Sequence, residues 1–157
     1  MSENLKKFCL KEVDYIDNNF LIRKSKNNQS FFDENFFLYF ETLDFCSILK
    51  KKGKKLYVSN KIKFHHYGSS SIPKKYNNLV KKTRAFHYLW SKFYFYKKNF
   101  NFLLALKKTL PNLVRSIKQI ITNVICLKFL YVRLNLLEFF GLICSILNLR
   151  SFYRPKN

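Results

Sequence analysis

The chain has 157 residues, of which 48% are hydrophobic and 18% aromatic, and this composition excludes an intrinsically disordered protein. Its formal net charge is +21 at pH 7, yet eight of its nine acidic residues lie within residues 1–44. The rest of the chain is a polycation, which is typical of proteins that meet nucleic acid, anionic lipid headgroups or phosphorylated substrates.

Cysteine spacing and apolar runs indicate the compartment. The chain has four cysteines without paired spacing: Cys9, Cys46, Cys126 and Cys144. This pattern is typical of free, mostly buried thiols in a reducing compartment. The N-terminal residues lack the apolar region of a signal peptide, and no uncharged apolar run reaches the roughly 18 residues that span a bilayer. The longest candidate, residues 139–149, is too short and follows Glu138, so we expect a cytoplasmic protein that does not cross a membrane.

The first predicted element is a strand. Residues 12–23 mix β-branched and aromatic residues with Asp and Asn, which predicts a strand over residues 15–23 with a bend at residues 17–19. Residues 24–30 are polar and predict a loop.

Residues 31–44 combine aromatic residues with four of the nine carboxylates: Asp33, Glu34, Glu41 and Asp44. A carboxylate near apolar surface loses hydration, and its pKa therefore tends to rise. Such an environment suits a group that takes or gives a proton near neutral pH.

A helix is predicted directly after these carboxylates. Thr42 is a good N-cap, Asp44 lies where the helix dipole favours a negative charge, and Gly53 ends the helix. Its apolar face would carry Leu43, Cys46 and Leu49. Short strands are predicted over residues 56–59 and 62–66, followed by a loop over residues 68–71.

Helical periodicity begins at Tyr76 and continues almost to the C-terminus. A second helix is predicted over residues 102–123, kinked or split by Pro111, and a third over residues 124–149, interrupted by Gly141.

The run FFDENFFLYFETLDFC resembles the acceptor-side signature of family 2 nucleotide-sugar glycosyltransferases, especially the rhamnosyltransferase-like branch. That branch reads FDE, then FF-x-Y-x-E-D-x-D, a helix ending in Gly, a short strand, and a His with a Gly/Ser-rich segment. The matching parts, within about residues 12–71, are residues 32–34 and 36–44, Gly53, residues 56–58, and His65 with Gly68 and Ser70.

The resemblance implies an α/β chain with two parts. Residues 1–73 would form the acceptor-side part of an A-type glycosyltransferase domain, made of short strands and one helix. Residues 74–157 would form a basic amphipathic helical region. The implied reaction is the inverting transfer of a sugar from a nucleotide-sugar to a saccharide or lipid-linked acceptor, as in polysaccharide and cell-envelope biosynthesis.

The resemblance also implies which carboxylates act. The catalytic pair would be Glu41 and Asp44, and acceptor contacts would come from Asp33, Glu34 and Tyr39. Glu41 keeps the first acid of the family's E-D pair, whereas Thr42 replaces the second, to which the base role is most often given. Ile48 stands where the family commonly has an Arg. The alternative is that Glu41 and Asp44 only set the local fold and cap a helix.

For the metal, the resemblance implies that His65 helps to hold a metal–diphosphate group, with Gly68 and Ser70 in the diphosphate loop. The alternative is a strand-end histidine that makes one hydrogen bond. A complete enzyme would need Mg²⁺ or Mn²⁺ at an Asp-x-Asp pair, and the sequence contains no such pair. We therefore expect a truncated or split product that lacks the nucleotide-binding half and is inactive alone; in a split enzyme a separate chain would supply the donor half.

Three interpretations of the basic region, residues 74–157, remain open. It docks on an anionic membrane near a lipid-linked acceptor, it is the solvated face of a helical core, or it binds nucleic acid. No nucleic-acid motif is present, so we rank these interpretations in that order and expect a peripheral protein at the inner face of the cell membrane. The alternative function is a non-catalytic, basic membrane-surface or nucleic-acid-binding protein derived from such an enzyme.

Overall fold

The structure, a computed structural model, describes residues 10–16, 19–22, 32–63, 65 and 73–154. These residues form a mixed α/β chain that is mostly helical, with four α-helices and one two-stranded sheet. The chain forms two compact units, which are Met1–Asp33 with Glu41–Ser70, and Glu34–Phe40 with Ser71–Asn157. The second unit therefore includes residues 34–40, which lie within the predicted acceptor-side part.

The first unit pairs two short strands. Strand β1 (Leu10–Val13) runs antiparallel to strand β2 (Leu56–Ser59), with Leu10 opposite Ser59 and Val13 opposite Leu56. Helix α1 (Glu41–Lys51) adds two buried side chains to a core that includes Leu56. The buried members of this core are Phe45, Cys46 and Leu56, and the half-buried members are Val13, Ile16, Phe20 and Leu49.

Helix α1 confirms the predicted helix with one correction at its start. It begins at Glu41, so Thr42 lies inside the first turn and is not the N-cap. Its end is as predicted: Gly53 adopts a left-handed φ of 68°, and the Lys54 amide donates to the Leu49 carbonyl at 2.9 Å. This Schellman closure satisfies carbonyls that the helix end would otherwise leave unpaired.

The prediction of a strand over residues 15–23 is wrong for the part that the structure describes. The strand lies earlier, at Leu10–Val13, while residues 15–16 and 19–22 lie outside any strand. The predicted strand over residues 62–66 is also not formed at residues 62, 63 and 65. The reason is pairing: β2 has four residues and its one partner in the described sheet is β1, so only a matching length of chain is held extended.

Three long helices build the second unit. They are α2 (Asn77–Asn99), α3 (Phe102–Ile125) and α4 (Phe129–Ile146), preceded by a 3₁₀ turn at Lys74–Tyr76. The predicted helical periodicity from Tyr76 onward is confirmed. The buried apolar core is formed by Phe86, Leu89, Trp90, Phe93, Ala105, Leu142 and Cys144.

Neither Pro111 nor Gly141 ends its helix. Pro111 lies inside α3, so the predicted split does not occur there, and Gly141 lies inside a continuous α4. The break between α3 and α4 falls later than predicted, where Leu127 adopts a left-handed φ of 55°. Gly141 has a packing role instead, because a Cβ there would lie 2.1 Å from the Phe86 carbonyl oxygen of α2.

Candidate functional site

Two consecutive aromatic residues adopt left-handed backbone angles just before α1. Tyr39 has a φ of 69° and Phe40 a φ of 66°. The Tyr39 ring lies edge-on to Tyr88 at 5.7 Å between centroids, and the Phe40 ring lies 5.5 Å from Phe95. Each such backbone outlier costs about 1–3 kcal/mol and persists only where packing imposes it, often at functional sites. The chain therefore enters α1 through a strained turn.

Hydrogen bonds within the second unit fix the segment before this turn. Ser91 of α2 donates to the Leu38 carbonyl at 2.7 Å, and Asn35 donates to the Tyr94 hydroxyl at 3.2 Å. Ser151 donates to the Asn35 carbonyl at 2.7 Å. The middle of the predicted signature is thus anchored by residues that lie more than fifty positions further along the chain.

Glu41 is the first residue of α1, immediately after the strained turn. Its side chain is half-buried, and its Oε2 is buried with no hydrogen-bond partner in the part of the chain that the structure describes. A buried polar atom without a partner is costly and calls for a functional or structural reason.

Asp44 lies three residues after Glu41, in the first turn of α1, and is 1% exposed. Residues three apart are neighbours on a helix surface, so the structure brings Glu41 and Asp44 together. The helix dipole favours negative charge in this first turn. Both sequence-predicted catalytic carboxylates therefore belong to one helix start.

The predicted acceptor residues are divided between the two units. Asp33 belongs to the first unit and is half-buried, whereas Glu34 and Tyr39 belong to the second. Glu34 is exposed, and Tyr39 is half-buried against Tyr88.

The predicted metal and diphosphate residues are only partly described. His65 is exposed, and Gly68 and Ser70 lie outside the described residues. No group of three or more His, Cys, Asp or Glu side chains that would suit a metal ion occurs in the part that the structure describes. These residues do not by themselves fit a Mg²⁺ or Mn²⁺ site, since such ions need several oxygen ligands.

A second feature, which sequence reasoning missed, is the outer face of α3. Its buried positions hold small side chains, at Ala105, Thr109 and Ser116. Its exposed positions hold large apolar side chains, which we call the α3 stripe: Leu103, Leu110, Val114, Ile117, Ile121 and Val124. A seven-residue spacing that runs from Leu103 to Val124 is the sequence signal that would have revealed it.

Basic residues flank the α3 stripe. Helix α3 carries four cations and no acid: Lys107, Lys108, Arg115 and Lys118. Burial lowers the pKa of Lys92 on α2, and repulsion by Arg115 and then Lys108 lowers it further. This surface therefore concentrates positive charge beside exposed apolar side chains.

Helix α4 also exposes large apolar residues. Phe129, Leu136 and Phe140 are exposed, as is Leu147 directly after the helix. By length and composition alone α4 also suits a membrane span, with a mean hydropathy of 1.6 over 18 residues that include two charged ones. The core helix of a soluble protein has the same character, and 28% of α4 is buried within the structure.

His87 on α2 has the surroundings of a buried core residue. Its Nε2 lies 2.9 Å from the Tyr153 carbonyl oxygen, and its Nδ1 is buried without a hydrogen-bond partner among the described residues. Burial lowers the pKa of His87 below its ordinary value, and the Arg154 guanidinium lowers it further. Arg154 itself lies over the Phe37 ring, 3.3 Å from the centroid.

Comparison of the chain with protein-family models, with curated proteins and with solved structures gave no match.

Proposed function

We propose that this chain is the acceptor-side part of an inverting glycosyltransferase similar to family 2, with Glu41 as the general base. The observation that carries the proposal is the buried, unpartnered Oε2 of Glu41 at the start of α1. The strained turn at Tyr39 and Phe40 and the buried carboxylate of Asp44 support it, because strain and buried acids are concentrated at catalytic sites.

In the proposed step, the Glu41 carboxylate accepts the proton of an acceptor hydroxyl. The hydroxyl oxygen attacks the anomeric carbon of the donor sugar, and the bond between that carbon and the nucleotide diphosphate breaks. The electron pair of that bond leaves with the diphosphate, and the configuration of the sugar inverts. A positioned base of this kind contributes about 10²- to 10⁴-fold to the rate.

Two parts of the reaction are outside this proposal. The sequence contains no Asp-x-Asp pair, and the described residues do not assemble a metal site. No step of the proposed reaction is therefore assigned to Mg²⁺ or Mn²⁺; a donor-binding half would bind the nucleotide-sugar and the metal.

The test is sugar transfer by this chain produced together with a family 2 donor-binding half, comparing wild type with Glu41→Gln. The amide keeps the shape of the side chain but does not accept the proton. A lower turnover number in Glu41→Gln, with acceptor binding unchanged, supports the base role.

A second function, peripheral docking on an anionic membrane, is favoured by the α3 stripe. Leu103 is 77% exposed and Ile121 is 57% exposed, which is unusual for large apolar side chains arranged in one row. The stripe extends over most of a helix that is about 36 Å long at 1.5 Å per residue. This area suits insertion between lipid headgroups.

The charges of α3 complement such a surface. Four cations and no acid accompany the stripe, within a chain of net charge +21. Each Lys or Arg near an anionic bilayer contributes about 1 kcal/mol. Apolar area and positive charge on one helix are the two components of interfacial binding. Docking would hold the acceptor-side unit close to a lipid-linked acceptor.

A further inference from the structure

A groove lies between α3 and α4. Its cavity volume is about 550 Å³, within the range usual for ligand sites. Two cations, three amides and two hydroxyl groups are among its lining residues: Arg115, Lys118, Gln119, Asn123, Asn135, Thr122 and Tyr131. This lining is basic and rich in hydrogen-bond donors, which suits an anion rather than a neutral apolar molecule.

Asn135 is the first indication that a ligand belongs here. It is 7% exposed, it lines the groove, and its Nδ2 is buried without a hydrogen-bond partner among the described residues. A buried amide donor of this kind is costly when unpaired. Rotation of the Asn135 side chain toward the groove would let Nδ2 donate to an acceptor oxygen there.

The charge around the groove is the second indication. Among the described residues Arg115 has one nearby carboxylate, Glu138, at 3.8 Å. The same Glu138 oxygen already accepts a hydrogen bond of 2.6 Å from Ser116. Lys118 is exposed. The groove therefore has more positive charge than Glu138 balances, and the planar guanidinium of Arg115 is well suited to phosphate oxygens.

We propose that this groove binds the phosphate group of a lipid. The phosphate oxygens accept hydrogen bonds from Arg115, Lys118 and the Nδ2 of Asn135. The apolar tail then lies along the α3 stripe, since Val114 belongs both to the lining of the groove and to the stripe. The inference rests on the proposed membrane docking for the source of the lipid, which is either a bilayer phospholipid or a phosphate-linked acceptor.

Calorimetry on the full chain with short-chain lipids, below their micelle concentration, tests the groove without a membrane. Dihexanoyl phosphatidic acid should bind, whereas dihexanoyl phosphatidylcholine and inorganic phosphate should bind at least about tenfold more weakly, since they lack either the net charge or the tail. Inorganic phosphate that binds as tightly as phosphatidic acid would overturn the lipid assignment.

Matched variants separate the groove from general electrostatics. Arg115→Gln with Lys118→Gln should weaken phosphatidic acid binding about tenfold or more, because two charge-assisted hydrogen bonds are removed. Lys81→Gln with Arg84→Gln also removes one lysine and one arginine charge, from exposed positions of α2. This control should change phosphatidic acid binding less than about threefold. Equal losses in the two variants would overturn the proposal.

Asn135→Leu adds a readout that a purely structural asparagine would not give. Removing the unpaired donor should raise the melting temperature and, at the same time, weaken phosphatidic acid binding. Unchanged binding in a folded Asn135→Leu chain would count against the groove.

Vesicle flotation distinguishes the groove from membrane docking. A wild-type chain that floats with anionic vesicles but does not bind short-chain phosphatidic acid overturns the groove and leaves docking in place. Binding of short-chain phosphatidic acid without flotation supports the groove and overturns docking.

Discussion

The Ser151 hydroxyl donates a hydrogen bond of 2.7 Å to the backbone carbonyl of Asn35, 116 residues earlier in the chain. This bond lies within the helical unit, which includes Glu34–Phe40. The segment that resembles a glycosyltransferase signature is therefore anchored in part by the C-terminal end of the chain. A variant that loosens the helical unit should disturb the turn that leads to Glu41.

Glu41→Gln should stabilise the first unit by about 1 kcal/mol, because the substitution removes the charge from a buried oxygen that has no partner. The lost interaction with the helix dipole opposes this gain, but it contributes only about 0.3–1 kcal/mol at such positions. Denaturant unfolding of the two proteins measures the difference. Stabilisation by removal of a catalytic group is a common sign of a site under functional constraint.

Asp44→Asn is the matched control, since it removes one charge from the same helix turn. Asp44 is 1% exposed and has interaction partners, so the amide should destabilise the protein. Destabilisation by Glu41→Gln of the same size as that by Asp44→Asn would show that Glu41 is an ordinary structural carboxylate.

Gly141→Ala should destabilise the helical unit by about 3 kcal/mol or prevent its folding, since overpacking a close contact is costly. The added Cβ would lie 2.1 Å from the Phe86 carbonyl oxygen, and backbone is not free to give way there. Gly53→Ala is a useful comparison, because a Cβ at Gly53 meets nothing within 4 Å and only the left-handed φ opposes it. A lower melting temperature for Gly53→Ala than for Gly141→Ala would contradict this packing.

His87 should make stability depend on pH in the acid range. Because burial lowers its pKa in the folded protein, the unfolded chain binds a proton first, near pH 6.5. Its contribution is therefore complete above about pH 6.5 and is lost as the pH falls toward the lowered folded value. His87→Gln keeps a donor for the Tyr153 carbonyl but does not titrate. Between pH 7.5 and pH 5 the free energy of unfolding should decrease more for wild type than for His87→Gln. An equal decrease in the two proteins would refute this role of His87.

Leu110→Asn with Ile121→Asn should weaken binding to anionic vesicles mainly at high salt. Salt screens the cations within a Debye length of about 8 Å at physiological ionic strength, so the remaining binding reports the apolar α3 stripe. Flotation across a salt series measures this share, and Leu21→Asn, at a site that is 95% exposed in the first unit, is the control.

Other outcomes of the flotation series identify other partners of the stripe. Equal binding to neutral and anionic vesicles would contradict the electrostatic part of the proposal. If the wild-type chain binds no vesicles and forms dimers in light scattering, the stripe would be assigned to contact with a second copy of the chain. A preference for RNA that disappears at high salt would favour nucleic acid.

Local patterns in the sequence were sufficient to predict α1, β2 and the periodic helices. Leu43, Cys46 and Leu49 gave the apolar face of α1, and Gly53 gave its end, because both signals act within a few residues. Strand β1 was misplaced because its position depends on pairing with β2, more than forty residues later. The β-propensity of a short segment does not indicate which distant strand it pairs with.

The candidate site was predicted in its residues but not in its surroundings. The sequence indicated Glu41 and Asp44, yet the orphaned Oε2 depends on what packs around α1. The strain at Tyr39 and Phe40 was equally invisible, because aromatic residues carry no sequence preference for left-handed angles. The groove beside Asn135 was missed because it requires two helices to meet.

The most direct measurement of the central claim is the rate of sugar transfer by this chain produced together with a family 2 donor-binding half. Wild type should transfer, and Glu41→Gln should reduce turnover by about 10²- to 10⁴-fold, with little change in the acceptor concentration that half-saturates the reaction. Full turnover in Glu41→Gln, with activity lost instead in Asp44→Asn, would show that the base is the other carboxylate and would contradict the account.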